Sequence, residues 1–195
     1  MKPLKRCDWC LGNSLYEAYH DQEWGLPVFD DQTLFEFLIL ESFQAGLSWI
    51  TILKKRENFR AAFDSFDYKK IAEYDREKYN SLIVNKGIVR NRLKIKAAIS
   101  NAQAFLKIQE EFKSFSAYYW SYSGGMPLKN KASSLKSTRS KSKLSEALSK
   151  DLKRRGFKFV GSTIIYAFMQ ATGMVNDHKV SCFRYKQLTS VGNNF

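Results

Sequence analysis

The chain has 195 residues, of which 44% are hydrophobic and 15% aromatic, with 10 glycines, 3 prolines and a formal net charge of +13. This apolar content excludes a disordered chain, and the length allows one compact domain with a sizeable core. Few glycines and prolines favour long helices over an all-β sandwich. The positive charge favours a polyanionic partner, nucleic acid before a membrane surface.

Neither a secretory signal nor a membrane span is predicted. Residues 1–6 are basic, but no apolar segment follows them. The longest uncharged run, residues 159–176, is interrupted by glycines and polar residues, which favours a buried helix of a soluble protein. Three cysteines cannot form an even disulfide framework, so they are expected to bind metal, catalyse or pack in the core.

The first strong helical pattern starts at Asp30 or Asp31, either of which can cap a helix. One face of this helix carries residues spaced i, i+3, i+4 and i+7, namely Leu34, Phe37, Leu38 and Glu41. After a break over residues 44–47, Ser48 is predicted to cap a second helix. The apolar stripe of the second helix consists of Trp49, Ile52, Leu53, Phe59 and Phe63.

A third, long helix is predicted from about Val89 into the 110s. Its buried row is predicted to be Ile95, Ile99, Ala102 and Leu106. The segment that follows, residues 127–143, is rich in serine, threonine, lysine and arginine, and this composition predicts a solvated connection.

Order is predicted to resume at Leu144, with a helix through Arg155. A tight hairpin (residues 156–161) and an apolar helix ending near Gly173 come next. The predicted fold class is therefore all-α.

We expect residues 1–195 to form a single domain. Two helical lobes are compatible with the pattern: a central lobe of residues 30–125, and a second lobe that combines residues 1–29 with residues 144–195.

Both histidines and two of the three cysteines form one candidate metal-binding set, Cys7, His20, His178 and Cys182. His178 and Cys182 are four residues apart, which on a helix puts both side chains on one face. Two cysteines and two histidines complete the tetrahedral coordination of a structural zinc ion and leave no open position. In the alternative, these are ordinary core or surface residues. Cys10 forms a Cys-x-x-Cys pair with Cys7 and is a competing ligand.

A second constellation groups aromatic residues around one acid, Glu41. The aromatic residues are Trp9, Tyr16, Tyr19, Trp24 and Trp49. An unpaired buried carboxylate is costly, so Glu41 is expected to have hydrogen-bond donors or a cationic partner. Aromatic faces beside an acid suit a planar, cationic or donor-rich ligand such as a nucleobase. The alternative is a core cluster in which Glu41 is tied to a nearby arginine or tyrosine.

A third constellation is basic. The hairpin glycines, Gly156 and Gly161, are accompanied by Lys153, Arg154, Arg155 and Lys158. Glycines that lead into a helix, here opened by Ser162, present backbone amides to a phosphate. A second basic stretch contains no acid: Lys86, Arg90, Arg92, Lys94 and Lys96. In the alternative, both groups are simply solvated.

Four segments together resemble the 3-methyladenine DNA glycosylase I family of bacteria. They are AYHD with EWG (residues 18–25), QAGLSWITILKKREN (residues 44–58), RGFKFVG (residues 155–161) and VNDH (residues 175–178). The resemblance runs from Cys7 to about Cys182, with the segments in the family's order.

The resemblance implies a helix-hairpin-helix glycosylase fold that flips a damaged base out of duplex DNA. It implies that Cys7, His20, His178 and Cys182 hold one structural zinc ion that joins the N- and C-terminal segments. Glu41 matches the acid that hydrogen-bonds the adenine edge and Trp49 the ring that stacks on the base. Trp9, Tyr16 and Tyr19 match the rest of the pocket wall.

The resemblance also implies the DNA contacts. Gly46 and Leu47 match the loop that enters the gap left by the flipped nucleotide. The hairpin from Gly156 to Gly161, with Lys158 and Ser162, matches the phosphate-gripping element. Two features differ from other helix-hairpin-helix glycosylases. Phe159 stands where related hairpins often carry a glycine, and the usual catalytic aspartate is absent, Asp177 being the nearest substitute.

The implied activity is excision of N3-methyladenine in base excision repair. The base is cationic, so its glycosidic bond is already weak, and an anionic Glu41 among aromatic faces would select it. Water then attacks C1′ and leaves an abasic site. The implied protein is a monomer of the bacterial cytoplasm and nucleoid, with damaged double-stranded DNA as substrate and free 3-methyladenine as product ligand. The alternatives are a non-catalytic DNA-binding module and a zinc-stabilised RNA-binding protein.

Overall fold

The computed structural model describes residues 4–128 and 140–191. Within these ranges the chain forms eleven α-helices and two short 3₁₀ turns, Asp8–Cys10 and Asp64–Phe66. The α-helices are α1 (Ser14–Gln22), α2 (Asp31–Gln44), α3 (Trp49–Leu53), α4 (Arg56–Ala62), α5 (Tyr68–Ala72), α6 (Arg76–Val84), α7 (Arg92–Phe112), α8 (Phe115–Ser121), α9 (Lys143–Arg154), α10 (Ser162–Ala171) and α11 (Phe183–Val191). The only β feature in this part of the chain is an isolated bridge between Leu128 and Val175. The predicted all-α class is confirmed.

Helix α2 begins as the sequence predicts. The Asp30 carboxylate accepts a hydrogen bond from the Thr33 amide at 2.7 Å and caps the helix. Ten consecutive residues, 34–43, are buried. The helix therefore has no solvated face over this stretch and runs through the centre of the protein.

The second predicted helix is in fact two. Helix α3 ends at Leu53, where the Lys54 and Lys55 amides bond back to carbonyls of α3, and α4 starts at Arg56. The bend turns Arg56 inward, where its guanidinium reaches the carboxylate of Glu36 on α2. Ser48 precedes α3 but its hydroxyl bonds the Thr51 hydroxyl, so it makes no side-chain cap.

The long third helix is confirmed, but it begins at Arg92 rather than Val89. Asn91 caps it, accepting from the amides of Leu93 and Lys94. The predicted buried row is partly wrong, because Ile99 and Leu106 are only half-buried. The buried face instead consists of Lys94, Ile95, Ala97, Ala98, Asn101, Ala102, Ala104, Phe105 and Ile108. This face is wider than one row because α7 packs against both α2 and α5.

The C-terminal helix pair also follows the prediction. Helix α9 starts with a reciprocal capping box between Ser142 and Ser145, and a tight turn joins it to α10. Of the predicted solvated connection, residues 129–139 lie outside the described part of the chain.

Residues 25–28 lie along the end of α10. The Gly25 amide donates to Ala171 O at 3.3 Å, and the Val28 amide donates to Thr172 O at 3.1 Å. Gly173 has a positive φ of 73°, and a Cβ atom there would lie 2.4 Å from the backbone carbon of Leu26. Only glycine allows this approach of two backbones. The N- and C-terminal parts of the chain are thereby held together beside the cysteines and histidines.

No helix within the described residues is both long and apolar enough to cross a membrane.

Candidate functional site

The structure brings the four predicted metal ligands together, all of them buried. One ligand atom from each of Cys7, His20, His178 and Cys182 lies within 4.8 Å of the other three. The separations are 3.2 Å between His178 Nδ1 and His20 Nε2, 3.4 Å between Cys182 Sγ and His20 Nε2, 3.6 Å between Cys182 Sγ and His178 Nδ1, and 3.7 Å between Cys7 Sγ and His178 Nδ1. Donor atoms about 2.0–2.3 Å from a tetrahedral zinc ion would be spaced this way.

Neighbouring groups set the orientation of both imidazoles. His178 Nε2 lies 3.0 Å from the Trp24 carbonyl, which can only accept, so Nε2 carries the proton. His20 Nδ1 faces the Asp21 carboxylate at 2.8 Å, and Arg6 in turn binds that carboxylate. The Arg6 guanidinium and His20 lower the pKa of Asp21 despite its partial burial. The other ring nitrogens, His178 Nδ1 and His20 Nε2, face each other at 3.2 Å, and the Cys7 amide lies 3.4 Å from His20 Nε2. A cation between them fits this arrangement.

Two details of the predicted metal set need correction. His178 and Cys182 do not share a helical face, because residues 178–182 form a turn that precedes α11. The turn is closed by a bond from the Cys182 amide to Lys179 O at 2.7 Å. Cys10 is not a competing ligand in this geometry, since its thiol donates to the Cys7 carbonyl at 3.0 Å and stands outside the four-residue group.

Glu41 points into the protein, as predicted, but it has no partner there. Only 4% of the residue is exposed, and no donor or cation among the described residues bonds its carboxyl group. Burial raises its pKa to about 8, so the carboxyl is mostly protonated at neutral pH. No described residue supplies the hydrogen-bond donor or cationic partner expected for Glu41 within the protein.

Aromatic side chains adjoin Glu41: burial raises the pKa of both Tyr16 and Tyr19, and the nearby Glu41 raises the two values further. The rings of Tyr19 and Trp49 lie 5.5 Å apart, and Trp9 packs edge-on against Tyr16 at 5.3 Å. We call these five residues, Trp9, Tyr16, Tyr19, Glu41 and Trp49, the aromatic site.

One hydrogen bond, one unbonded N–H group and one neighbouring ring further describe the aromatic site. The Tyr16 hydroxyl accepts from the Ile50 amide at 3.1 Å and so fixes the start of α3 beside it. The indole N–H of Trp49 is buried, and no described residue accepts from it. Trp24 adjoins this group through Trp9, whose ring it meets edge-on at 5.0 Å, and it also stacks on His20, with ring planes 24° apart, and contacts His178.

The predicted DNA-facing loop is exposed. Gly46 adopts a positive φ of 82°, which glycine accommodates without strain, and Leu47 is 38% exposed. Gln44 holds the turn from both sides: its carbonyl accepts from the Leu47 amide, and its side-chain amide donates to the Leu47 carbonyl.

Hydrogen bonds from Asn101 on α7 and Ser149 on α9 hold the hairpin in place, and neither residue was singled out from the sequence. Asn101 brackets Lys158, accepting from its amide at 2.8 Å and donating to its carbonyl at 3.1 Å. Ser149 donates to Val160 O at 2.6 Å. Phe159 has a positive φ of 53°, the conformation in which related hairpins were expected to carry glycine. Gly161 has no side chain to cap α10, so the amides of its first turn lack a side-chain acceptor.

The basic residues divide into exposed and internal groups. Lys158, Lys86, Arg90 and Arg92 are exposed. Arg155 is instead engaged by Glu111 at 2.6 Å and by Asp151 at 2.7 Å. Arg154 is exposed but paired with Asp151.

Lys94 is buried and bonded to backbone carbonyls, so it is neither a phosphate-facing cation of the second basic stretch nor, as in the alternative, a solvated one. Its position on α7 carried the missed signal, since residues 94, 98, 101 and 105 follow the helical period of the buried face.

An ion network on α2 and α4 was also missed. Arg56 bonds Glu36 at 2.7 Å and Glu23 at 2.5 Å, and Arg60 bonds Glu36 at 2.8 Å. This network ties the end of α1 to α2. Asp177 accepts from Tyr166 at 2.7 Å and Gln170 at 2.8 Å, contacts that hold the turn before His178.

Comparison with known proteins agrees with the resemblance. Residues 9–185 match the family model described as methyladenine glycosylase. DNA-3-methyladenine glycosylase 1 of Escherichia coli is 49% identical over 182 residues, which are 93% of this chain and 97% of that protein. A crystal structure of 3-methyladenine DNA glycosylase I is 52% identical with a TM-score of 0.88, and the match covers 92% of this chain and 98% of that one.

A third relative, from Staphylococcus aureus, was solved to show how 3-methyladenine DNA glycosylase I recognises 3-methyladenine. It is 37% identical with a TM-score of 0.88, and the match covers 92% of this chain and 96% of that one. The family match spans most of the chain, and two of the relatives exceed 45% identity over nearly their whole length. The chain belongs to the methyladenine glycosylase family.

Proposed function

We propose that this protein is a DNA-repair N-glycosylase that excises N3-methyladenine from alkylated duplex DNA. The observation that carries the proposal is Glu41, a buried carboxyl group with no partner among the described residues, placed beside aromatic rings. Burying such a group is costly unless a ligand completes it. A flat, cationic base supplies both the missing charge and a face for the rings.

Binding of the base is coupled to the ionisation of Glu41. The carboxyl has a pKa of about 8 in the ligand-free site. A cationic base beside it favours the carboxylate, so the proton leaves as the lesion enters. Neutral adenine provides no such charge and is selected against. Trp49, with an unbonded indole N–H, stacks on the base, and Trp9, Tyr16 and Tyr19 complete the wall.

Bond cleavage needs little acid catalysis because the methylated base leaves as a neutral molecule. The carboxylate of Glu41 binds and orients the cationic base. As the glycosidic bond breaks, its electron pair goes to the base and the positive charge to the sugar, and water adds to C1′ with release of a proton. The products are free 3-methyladenine and an abasic site. The reaction is a hydrolysis, and the enzyme is monofunctional.

The DNA is held by two exposed elements. Gly46 and Leu47 enter the duplex and occupy the space of the flipped nucleotide. The hairpin, as part of a helix-hairpin-helix motif, binds a phosphate through the backbone amides at Gly161 and Ser162. Lys158 adds a charge beside this phosphate; the Gly156 turn brings it to the surface.

We further propose that Cys7, His20, His178 and Cys182 hold one structural zinc ion. Two thiolates and two imidazoles fill its coordination shell, so the ion supplies structure and no reactive position. It would join residues 1–29 to residues 144–195 as one lobe, beside a central lobe of residues 30–125. We expect a monomer that acts on the bacterial nucleoid in the cytoplasm.

Substitution of two aromatic-site residues tests the activity. Glu41→Gln keeps the side-chain volume but removes the ionisable group. Loss of one charge-assisted contact of about 1.5–3 kcal/mol should slow release of 3-methyladenine roughly 10- to 100-fold. Trp49→Ala should weaken base binding by roughly 1–3 kcal/mol through lost stacking. Chromatography of bases released from methylated duplex DNA measures both effects.

Phe29→Ala is a matched control, since Phe29 is an exposed aromatic residue before the other end of α2. It should leave base release unchanged. A Glu41→Gln protein that releases 3-methyladenine at the wild-type rate contradicts the assignment of Glu41.

The raised pKa of Glu41 predicts a pH-dependent difference in stability. In the unfolded chain a glutamate titrates near pH 4.3, whereas in the folded protein Glu41 titrates at about 8. The contribution of protonated Glu41 to the free energy of unfolding is therefore complete at low pH, and it is lost as the pH rises towards the pKa in the folded protein. Glu41→Gln does not titrate, so its advantage in free energy of unfolding should grow from about pH 5 to about pH 8. The growth should be roughly 1.4 kcal/mol for each pH unit between the two pKa values.

Urea denaturation over this range measures the difference. The exposed Glu77→Gln should show a constant difference from wild type. The same constant difference in Glu41→Gln would mean that Glu41 is ionised in the free protein.

Duplex binding should depend strongly on salt. Lys158→Met removes one proposed phosphate contact and should lower the slope of log affinity against log salt by roughly 1. Lys107→Met removes an exposed charge from α7 and should leave the slope unchanged. A wild-type slope near zero would refute an interface dominated by phosphates.

Metal content distinguishes the cysteines. Cys182→Ser should lose bound zinc and lower the midpoint of thermal unfolding together, because three ligands hold the ion more weakly than four. Cys10→Ser should retain both properties. Elemental analysis of the purified proteins decides, and the ligand set is wrong if Cys10→Ser loses zinc while Cys7→Ser keeps it.

A further inference from the structure

Lys94 is a buried cation that no carboxylate among the described residues neutralises. Only 6% of the residue is exposed, and burial lowers the pKa of its ammonium group. The ammonium donates instead to two backbone carbonyls, Phe43 O at 2.8 Å and Ala45 O at 2.6 Å. Burying an ammonium group without a carboxylate costs free energy, so an apolar residue would be more stable here unless the charge has a role.

The two carbonyls belong to the end of α2, immediately before the exposed Gly46 and Leu47. Carbonyls at a helix C-terminus lack intrahelical partners and carry partial negative charge, which a cation satisfies. By binding both, Lys94 fixes the direction in which the chain leaves α2. It therefore sets where Leu47 points.

The same side chain also lies beneath the hairpin. Its ammonium is 5.9 Å from the centre of the Phe159 ring. Phe159 O accepts from Ser42 on α2 at 3.1 Å. Two turns further along α7, Asn101 brackets Lys158 of the hairpin. One face of α7 thus holds the loop at residues 44–47 and the hairpin against the same helix.

We propose that Lys94 is a positioning residue that sets the 44–47 loop relative to the hairpin, so that both reach one duplex together. This inference rests on the proposed function, because it assigns these two elements to DNA. Lys94 itself touches neither DNA nor the base. A free base meets only the aromatic site, whereas a base in duplex DNA must also be extruded and held by the loop and the hairpin.

The test separates these two kinds of ligand. Lys94→Met keeps most of the length of the side chain and removes the two hydrogen bonds. We expect its affinity for free 3-methyladenine to stay within about twofold of wild type, far below the tenfold that 1.4 kcal/mol represents. Single-turnover excision from methylated duplex at saturating enzyme should fall roughly 10- to 100-fold, as misplacement of about 1 Å does elsewhere.

Lys107→Met is the matched control, an exposed lysine on the same helix, and should equal wild type in both measurements. Lys94→Gln keeps an amide NH2 donor group on a shorter, uncharged side chain and should give an intermediate excision rate. It replaces Lys94→Met if that variant does not fold. Equal losses of free-base affinity and excision, or no loss of excision, would overturn the role of Lys94. A wild-type protein that releases no 3-methyladenine would overturn the proposed function and this inference with it.

Discussion

Helix α2 passes through the protein with ten consecutive residues buried, and every polar side chain on it must therefore be satisfied without water. Glu36 is neutralised by Arg56 and Arg60, and the Ser42 hydroxyl donates to Leu38 O at 2.8 Å. Glu41 alone of the three has no such solution within the described residues. The contrast within one helix supports the proposal that Glu41 binds a ligand, because Glu36 on the same helix is neutralised by two arginines.

The other residues of the site lie on elements that pack around α2. The Tyr16 hydroxyl fixes the start of α3, and Arg56 ties α4 and the end of α1 to α2. The aromatic rings thus come from α1, α3 and the N-terminal segment, none of which would hold its position alone. Helix α3 has only five residues, too few to be stable without such contacts. The geometry of the aromatic site therefore depends on the contacts that hold these surrounding elements in place.

Much of this organisation could be predicted from local pattern. The Asp30 cap, the inward direction of Glu41 and the α9–α10 pair follow from spacing within about twenty residues, and the structure has them. The four cysteine and histidine residues also came together, although residues 178–182 are not helical. The predicted roles of the aromatic site and the hairpin in DNA repair remain predictions.

The errors concern partners that are distant along the chain. Arg155 was grouped with the basic residues of the hairpin but is paired with Glu111, and Lys94 bonds carbonyls about fifty residues away. Composition shows how many charges a segment carries, not which of them face inward. The split between α3 and α4 has the same origin, since Arg56 turns towards a carboxylate on another helix. Local propensity favoured one continuous helix, and a tertiary ion pair overrode it.

The four-residue cluster has a consequence for the time at which the protein becomes complete. Cys7 and His178 are 171 residues apart in the chain. At about 5–20 residues per second, on the order of ten to thirty seconds of synthesis separate the first ligand from the third. Until then Cys7 and His20 lie in a nascent chain whose other half of the cluster does not exist. An ion held by all four residues would therefore require synthesis to have passed Cys182, and a chain that ends before residues 178–182 would lack two of the ligands.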